Sequence, residues 1–127
     1  MSAVNVESVQ RGYEAAARGD LEAIRELLAP DVVWHGGDRS AAGTCRNRDA
    51  ALAFMRQAIA GNRLGQLIDV IDAGDRVVVV LQPPPSGDVV PPLRANVTSF
   101  REGKVVEMVA YESPEAALTA VGIQAAG

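Results

Sequence analysis

LRANVTSFREGKVVEMVAY, residues 93–111, reads as a β-hairpin: two β-rich runs flank Glu102 and Gly103, a pair suited to a tight antiparallel turn. In the first run Leu93, Ala95 and Val97 alternate with Arg94, Asn96, Thr98 and Phe100, so one face is aliphatic while the other carries hydrogen-bonding groups. Upstream, the stretches 67–71 and 76–82 are separated by Ala73, Gly74 and Asp75 and form a second hairpin. Pro83, Pro84 and Pro85 end it, because proline cannot donate to a ladder, and the chain to Pro92 is a connection or irregular edge. After Tyr111, Ser113, Pro114 and Glu115 supply a cap, a pre-set first turn and a favourable charge for a short terminal helix.

The N-terminal half has a different period. Val6, Val9, Tyr13, Ala16 and Ala17 recur at helical spacing up to Gly19. Asp20 caps a second helix whose buried face is Leu21, Ile24, Leu27 and Leu28, with Pro30 as its stop. Val32, Val33 and Trp34 suit a short strand, and Gly36 and Gly37 after His35 permit a sharp exit into a loop reaching about Arg46. Asn47 then caps a third helix, with Leu52, Met55 and Ile59 on one face and Phe54 beside them, ending near Gly61.

This order predicts a single α+β domain over residues 1–127, with a curved, mainly antiparallel sheet covered on one face by three helices and closing into a cone. The 48% hydrophobic and 22% charged residues supply a core large enough to offset ordering entropy. A net charge of −4 disfavours a polyphosphate partner, so no nucleic acid is expected. Arg39, Arg46, Arg48, Arg56 and Arg63 concentrate positive charge locally, as a solvated helix face or as steering for an anionic ligand. Cys45 is the only cysteine, the first residues lack a signal-peptide pattern, and the longest aliphatic run is far short of the ~20 residues of a membrane helix. A cytoplasmic protein without a membrane partner is expected. One histidine and one cysteine ten residues apart make no zinc site, so no metal and no cofactor are expected.

The order of elements resembles the nuclear transport factor 2 superfamily, which includes ketosteroid isomerase and the SnoaL-like polyketide cyclases. Four motifs carry the resemblance: Gly19-Asp20-Leu21 with Asp31 to Trp34; Trp34-His35 with Ala42-Gly43; Arg46 to Asp49; and Phe100 to Val105. The resemblance implies a cone enclosing a hydrophobic small molecule. It also implies that the polar face of the strand from Leu93 to Phe100 lines the cavity, whereas periodicity alone turns the aliphatic face inward. The remaining aliphatic patch, Leu93, Ala95 and Val97 with Val105 and Val109, would then pair two subunits in a homodimer.

Two known catalytic sets of the superfamily, those of ketosteroid isomerase and limonene epoxide hydrolase, are missing. The isomerase's tyrosine donor falls on Gly12, its base on Gly36 and its protonated acid on Asn96, while Tyr13, one step along, is turned by about 100° and is read as core rather than donor. The residue pattern of limonene epoxide hydrolase is also absent, since the corresponding strands offer Val77 to Leu81 and Ala110. The catalytic candidates are therefore His35, the side chain that titrates near neutrality; Asn96, a neutral oxyanion donor; and Glu112, a carboxylate at the rim. Strand alternation opposes His35 to Trp34, and the inward assignment of Trp34 leaves the imidazole dependent on a glycine bulge to return to the cavity. Tyr13, Trp34, Phe54, Met55, Arg94, Thr98 and Met108 are the candidate ligand-binding residues. Two functions fit these residues: a cofactor-free isomerase, cyclase or hydrolase acting by proton transfer on a hydrophobic carbonyl or polycyclic metabolite, and a noncatalytic ligand-binding or assembly module.

Overall fold

The structure, a computed structural model, describes residues 2–35, 44–45, 47–61, 65–85 and 87–122. Gly36, Gly37, Arg39, Ala42, Gly43, Arg46 and Arg63 lie outside the described residues. Helices α1 (Ser2–Arg18) and α2 (Leu21–Leu27) precede strands β1 (Leu28–His35) and β2 (Thr44–Cys45) and helix α3 (Arg48–Ala60); β3 (Gln66–Ala73), β4 (Arg76–Gln82), β5 (Arg94–Arg101), β6 (Lys104–Tyr111) and helix α4 (Pro114–Ala120) follow. The caps form as their residue types dictate: Asp20, Asn47 and Ser113 accept from the backbone N–H groups of Ala23, Ala50 and Ala116.

The strands make one sheet in the order β2-β1-β6-β5-β4-β3, antiparallel except where β1 runs parallel to β6. Each later hairpin closes through two residues. Glu102 and Gly103 both have positive φ, the requirement of a type I′ turn, and between β3 and β4 only Gly74 does.

Consecutive residues of β4 point to opposite faces, and each face has its own core. Val77 and Val79 pack with Val9, Ile24, Leu52, Phe100 and Met108 beneath the first three helices. Val78 and Val80 pack with Ala95, Val97 and Ala117 under α4.

Three expectations are corrected. The second helix ends one residue earlier, at Leu27, and Pro30 lies inside β1 rather than stopping a helix. Its missing N–H is tolerated there because the β1–β6 register shifts between Leu28 and Val33. The loop before α3 contains β2, which pairs with Trp34 and His35. Helices α1 to α3 cover one face of the sheet as expected, and α4 lies on the other, over Ala95 and Val97. A register shift between Ser99 and Phe100 also turns Val105 into the inner core. The uncovered aliphatic patch that implied a homodimer is therefore largely buried within the chain: Val97 is 5% exposed and Ala95 3%, while Leu93 stays exposed. Among the described residues no helix is long and apolar enough to cross a membrane.

Candidate functional site

The inner face of the sheet and helices α1 to α3 enclose a cavity of about 480 Å³. Most of its wall is apolar, including Val9 and Ala16 from α1, Ile24 and Leu27 from α2, Met55 and Ala58 from α3, and Leu81 and Met108 from the sheet. Gly12 lies where α1 and α2 approach closely: a Cβ there would meet Leu27 Cδ1 at 3.3 Å. Trp34 and Phe54 meet edge to face with ring centroids 4.8 Å apart and both line the cavity. Phe54 is nonetheless 40% exposed, so this aromatic pair reaches from the wall to the surface.

Polar groups gather on one line across the floor. Register places Asn96 between Val79 and Ala110 and Thr98 between Val77 and Met108, so the two polar side chains project inward among aliphatic neighbours. Thr98 Oγ1 donates to Asn96 Oδ1 at 2.7 Å, and Asn96 Nδ2 donates to the Tyr13 hydroxyl oxygen at 3.1 Å. Thr98 and Asn96 are 3% and 8% exposed, so each hydrogen bond offsets a desolvation that would otherwise be unfavourable. Burial pushes the Tyr13 phenol up, against a smaller lowering by the Asn96 bond, which keeps it protonated through the neutral range. A phenol that accepts from Asn96 still holds its own proton. The chain therefore runs from Thr98 through Asn96 to Tyr13 and ends in a donor within an apolar enclosure.

Each candidate residue has a definite position. Tyr13, Trp34, Phe54, Met55, Arg94, Asn96, Thr98, Met108 and Glu112 all line this cavity, with Arg94 and Glu112 exposed at their strand ends. His35 does not. The alternation that turns Trp34 inward turns His35 to the opposite face, where its Nε2 lies 3.6 Å from Glu107 Oε2 in a separate groove bordered by Arg76, Ser99, Tyr111 and α4. Reaching the cavity would require the imidazole to cross the sheet, so this geometry does not supply the base expected at His35.

Tyr13 was read as core, yet it supplies the terminal hydroxyl of the polar chain; its spacing of four from Val9, on the buried stripe of α1, is the signal that points it inward. Ser8 also lines the cavity, is buried and accepts from Arg11 Nη2 at 3.4 Å, and nothing in its sequence context marks it. Burial raises the pKa of the Cys45 thiol, which disfavours the thiolate. Among the described residues no group of three or more His, Cys, Asp or Glu is placed to hold a metal ion.

A family model described as a SnoaL-like domain matches residues 9–108. Among solved structures, the chain is similar to Bal32a from a soil-derived mobile gene cassette, at 26% identity over 87% of this chain and 89% of that one, with a TM-score of 0.74. It is also similar to a protein of unknown function from Mesorhizobium loti, at 23% identity over 87% and 91%, TM-score 0.72. A third similar structure is a candidate polyketide cyclase from Sinorhizobium meliloti, at 17% identity over 83% and 94%, TM-score 0.66. No curated protein sequence matches the chain significantly.

Proposed function

The chain belongs to the SnoaL-like domain family, and on that footing we propose that its cavity binds a hydrophobic carbonyl compound and catalyses proton transfer beside the carbonyl without a cofactor. The observation that carries this reading is the Thr98–Asn96–Tyr13 chain, whose last hydroxyl offers a proton inside an apolar wall. Such a donor is complementary to a carbonyl oxygen, and more so to the enolate that forms when a neighbouring carbon loses a proton. Glu112 is the carboxylate among the cavity-lining residues and is the proposed base. Its carboxylate takes the C–H proton, the bonding electrons move to the carbonyl oxygen, and the Tyr13 hydroxyl stabilises the developing charge. The proton then returns to carbon. The bound orientation would put the oxygen inward and the enolisable carbon toward the rim. The similarity to a candidate polyketide cyclase supports the reaction class.

The second reading, a noncatalytic binding module, draws its support from the exposure of Glu112. Water around a carboxylate weakens it as a base, and the same cavity could then only hold its ligand. A homodimer, the protein partner expected from the sequence, would need a surface other than the aliphatic one first assigned to it, because α4 covers that one.

Trp34, the single tryptophan, lies in the wall and makes binding visible by fluorescence. Alpha-tetralone, a bicyclic ketone with exchangeable protons beside its carbonyl, is expected to perturb Trp34 emission and bind about tenfold more tightly than tetralin, its hydrocarbon counterpart. In deuterated water the protein should accelerate exchange of those protons, and Glu112→Gln should abolish the acceleration. Equal affinities would contradict the donor assignment. Preferential binding of the ketone without accelerated exchange would leave the binding module in place of the enzyme.

A further inference from the structure

Asn96 can satisfy its neighbours in two ways, and the difference bears on the Tyr13 donor. In the observed arrangement Oδ1 faces Thr98 and Nδ2 faces Tyr13. Rotating the amide by half a turn would direct Nδ2 to Thr98 Oγ1 and Oδ1 to Tyr13, and the phenol would then donate its proton to Oδ1. Both arrangements leave the buried amide bonded. They differ in where the Tyr13 proton goes: into the cavity in the first, onto Asn96 in the second.

We infer that Thr98 is a positioning residue: by donating its hydroxyl proton to Asn96 Oδ1 it holds the amide with Nδ2 toward Tyr13, leaving the Tyr13 proton free for a ligand. One distance favours this arrangement, and two further features keep the Thr98 hydroxyl within reach of the amide. The Thr98–Asn96 bond, at 2.7 Å, is the shorter of the two. Both side chains lie on β5, two residues apart on the same face, so the strand itself fixes their separation. Thr98 is also a β-branched residue held between Val77 and Met108, which limits the rotamers through which its hydroxyl could turn away. Polarisation along the chain adds to the effect, since a hydroxyl that accepts a hydrogen bond becomes a stronger donor.

This inference rests on the donor role proposed for Tyr13, but it can be tested without any ligand. Tyrosine labelled at the phenol carbon reports ionisation by NMR, and the chain has only two tyrosines, so a Tyr111→Phe background isolates the Tyr13 signal. Thr98→Val removes the hydroxyl at nearly constant volume and frees the amide to rotate. The Tyr13 titration should then move upward, because the released amide can offer Oδ1 to the protonated phenol and so stabilise the neutral form, while its burial is unchanged. Thr98→Ser, which retains the hydroxyl, should leave the midpoint near that of the parent. An unchanged midpoint in a folded Thr98→Val protein would overturn the inference.

A second measurement needs no substitution and covers the case in which Thr98→Val fails to fold. The side-chain amide protons of Asn96 should show cross-relaxation to the Tyr13 ring, and cross-relaxation confined to the Thr98 methyl would mean the opposite amide orientation and overturn the inference. In the same Thr98→Val protein the preference for alpha-tetralone over tetralin should fall about tenfold. If the titration and the cross-relaxation are as expected but ketone and hydrocarbon bind equally well to the parent, the proposed function fails while the positioning role of Thr98 stands.

Discussion

Tyr13→Phe is expected to slow the exchange of alpha-tetralone protons by about two to three orders of magnitude, the loss typical of removing one preorganised oxyanion donor. The substitution deletes a single oxygen and keeps the ring that fills the wall of α1. Its effect on the reaction should exceed its effect on binding, because the charge on the ligand oxygen grows as the C–H bond breaks. The partner left behind, Asn96 Nδ2, loses its acceptor in a buried position, at a stability cost of about 1–3 kcal/mol. Thermal melting of the same variant separates the two effects: a folded protein with strongly reduced exchange is the expected pair of results. A rate within threefold of the parent would remove Tyr13 from the chemistry. It would shift the proposal toward a simple binding cavity.

Val97→Lys is expected to destabilise the folded chain by about 2–4 kcal/mol, read as a lower denaturation midpoint. Val97 pairs with Val78 and Val109 across the sheet and belongs to the cluster that α4 closes. Burying an ammonium there loses aliphatic contact and leaves a charge without a specific partner. The neighbouring groove contains Glu107, toward which a lysine stem can extend, and this keeps the estimate below that for a fully enclosed charge. The result distinguishes two descriptions of one surface. A variant of unchanged stability that dissociates from dimer to monomer in sedimentation would mean that Val97 faces a second subunit, as the resemblance to the superfamily implies.

The parts of the fold legible in the sequence are those specified locally. Asp20, Asn47 and Ser113 announce their helices because each cap acts on a backbone group three residues away. The turns at Gly74 and at Glu102-Gly103 are read from their glycines, which accept positive φ. The corrections concern contacts between distant segments. Strand β2 consists of two residues that pair with Trp34 and His35 from ten positions further along the chain, and no local period reveals it. The side of the sheet taken by α4 is likewise decided by packing of Ala117 on Val78, Val80, Ala95 and Val97, which a seven-residue helix pattern cannot specify. Pro30 reads locally as a helix stop and is instead accommodated in a strand whose register shifts around it.

The candidate site divides along the same line. Alternation on β5 places Arg94, Asn96 and Thr98 on one face, and the same two-residue period opposes His35 to Trp34. The partnership of Tyr13 with Asn96 spans 83 positions in the chain, so it becomes visible only when α1 lies over the sheet. The donor position implied by the resemblance to ketosteroid isomerase falls on Gly12, one residue before Tyr13. That single-residue offset matters less than expected: a phenol is long enough for its hydroxyl to reach Asn96 from the neighbouring position.

The claim on which these readings depend is that the cavity offers the Tyr13 proton to a ligand oxygen, and the carbonyl resonance of bound alpha-tetralone reports on it. With the ketone isotopically labelled at its carbonyl carbon, binding to the parent protein should move that resonance downfield of its position in an apolar solvent, as a donated hydrogen bond withdraws electron density. The Tyr13→Phe protein should leave the bound resonance at the apolar-solvent position. A bound resonance that is the same in the two proteins would contradict the claim, because the ligand oxygen would then be indifferent to the presence of the phenol.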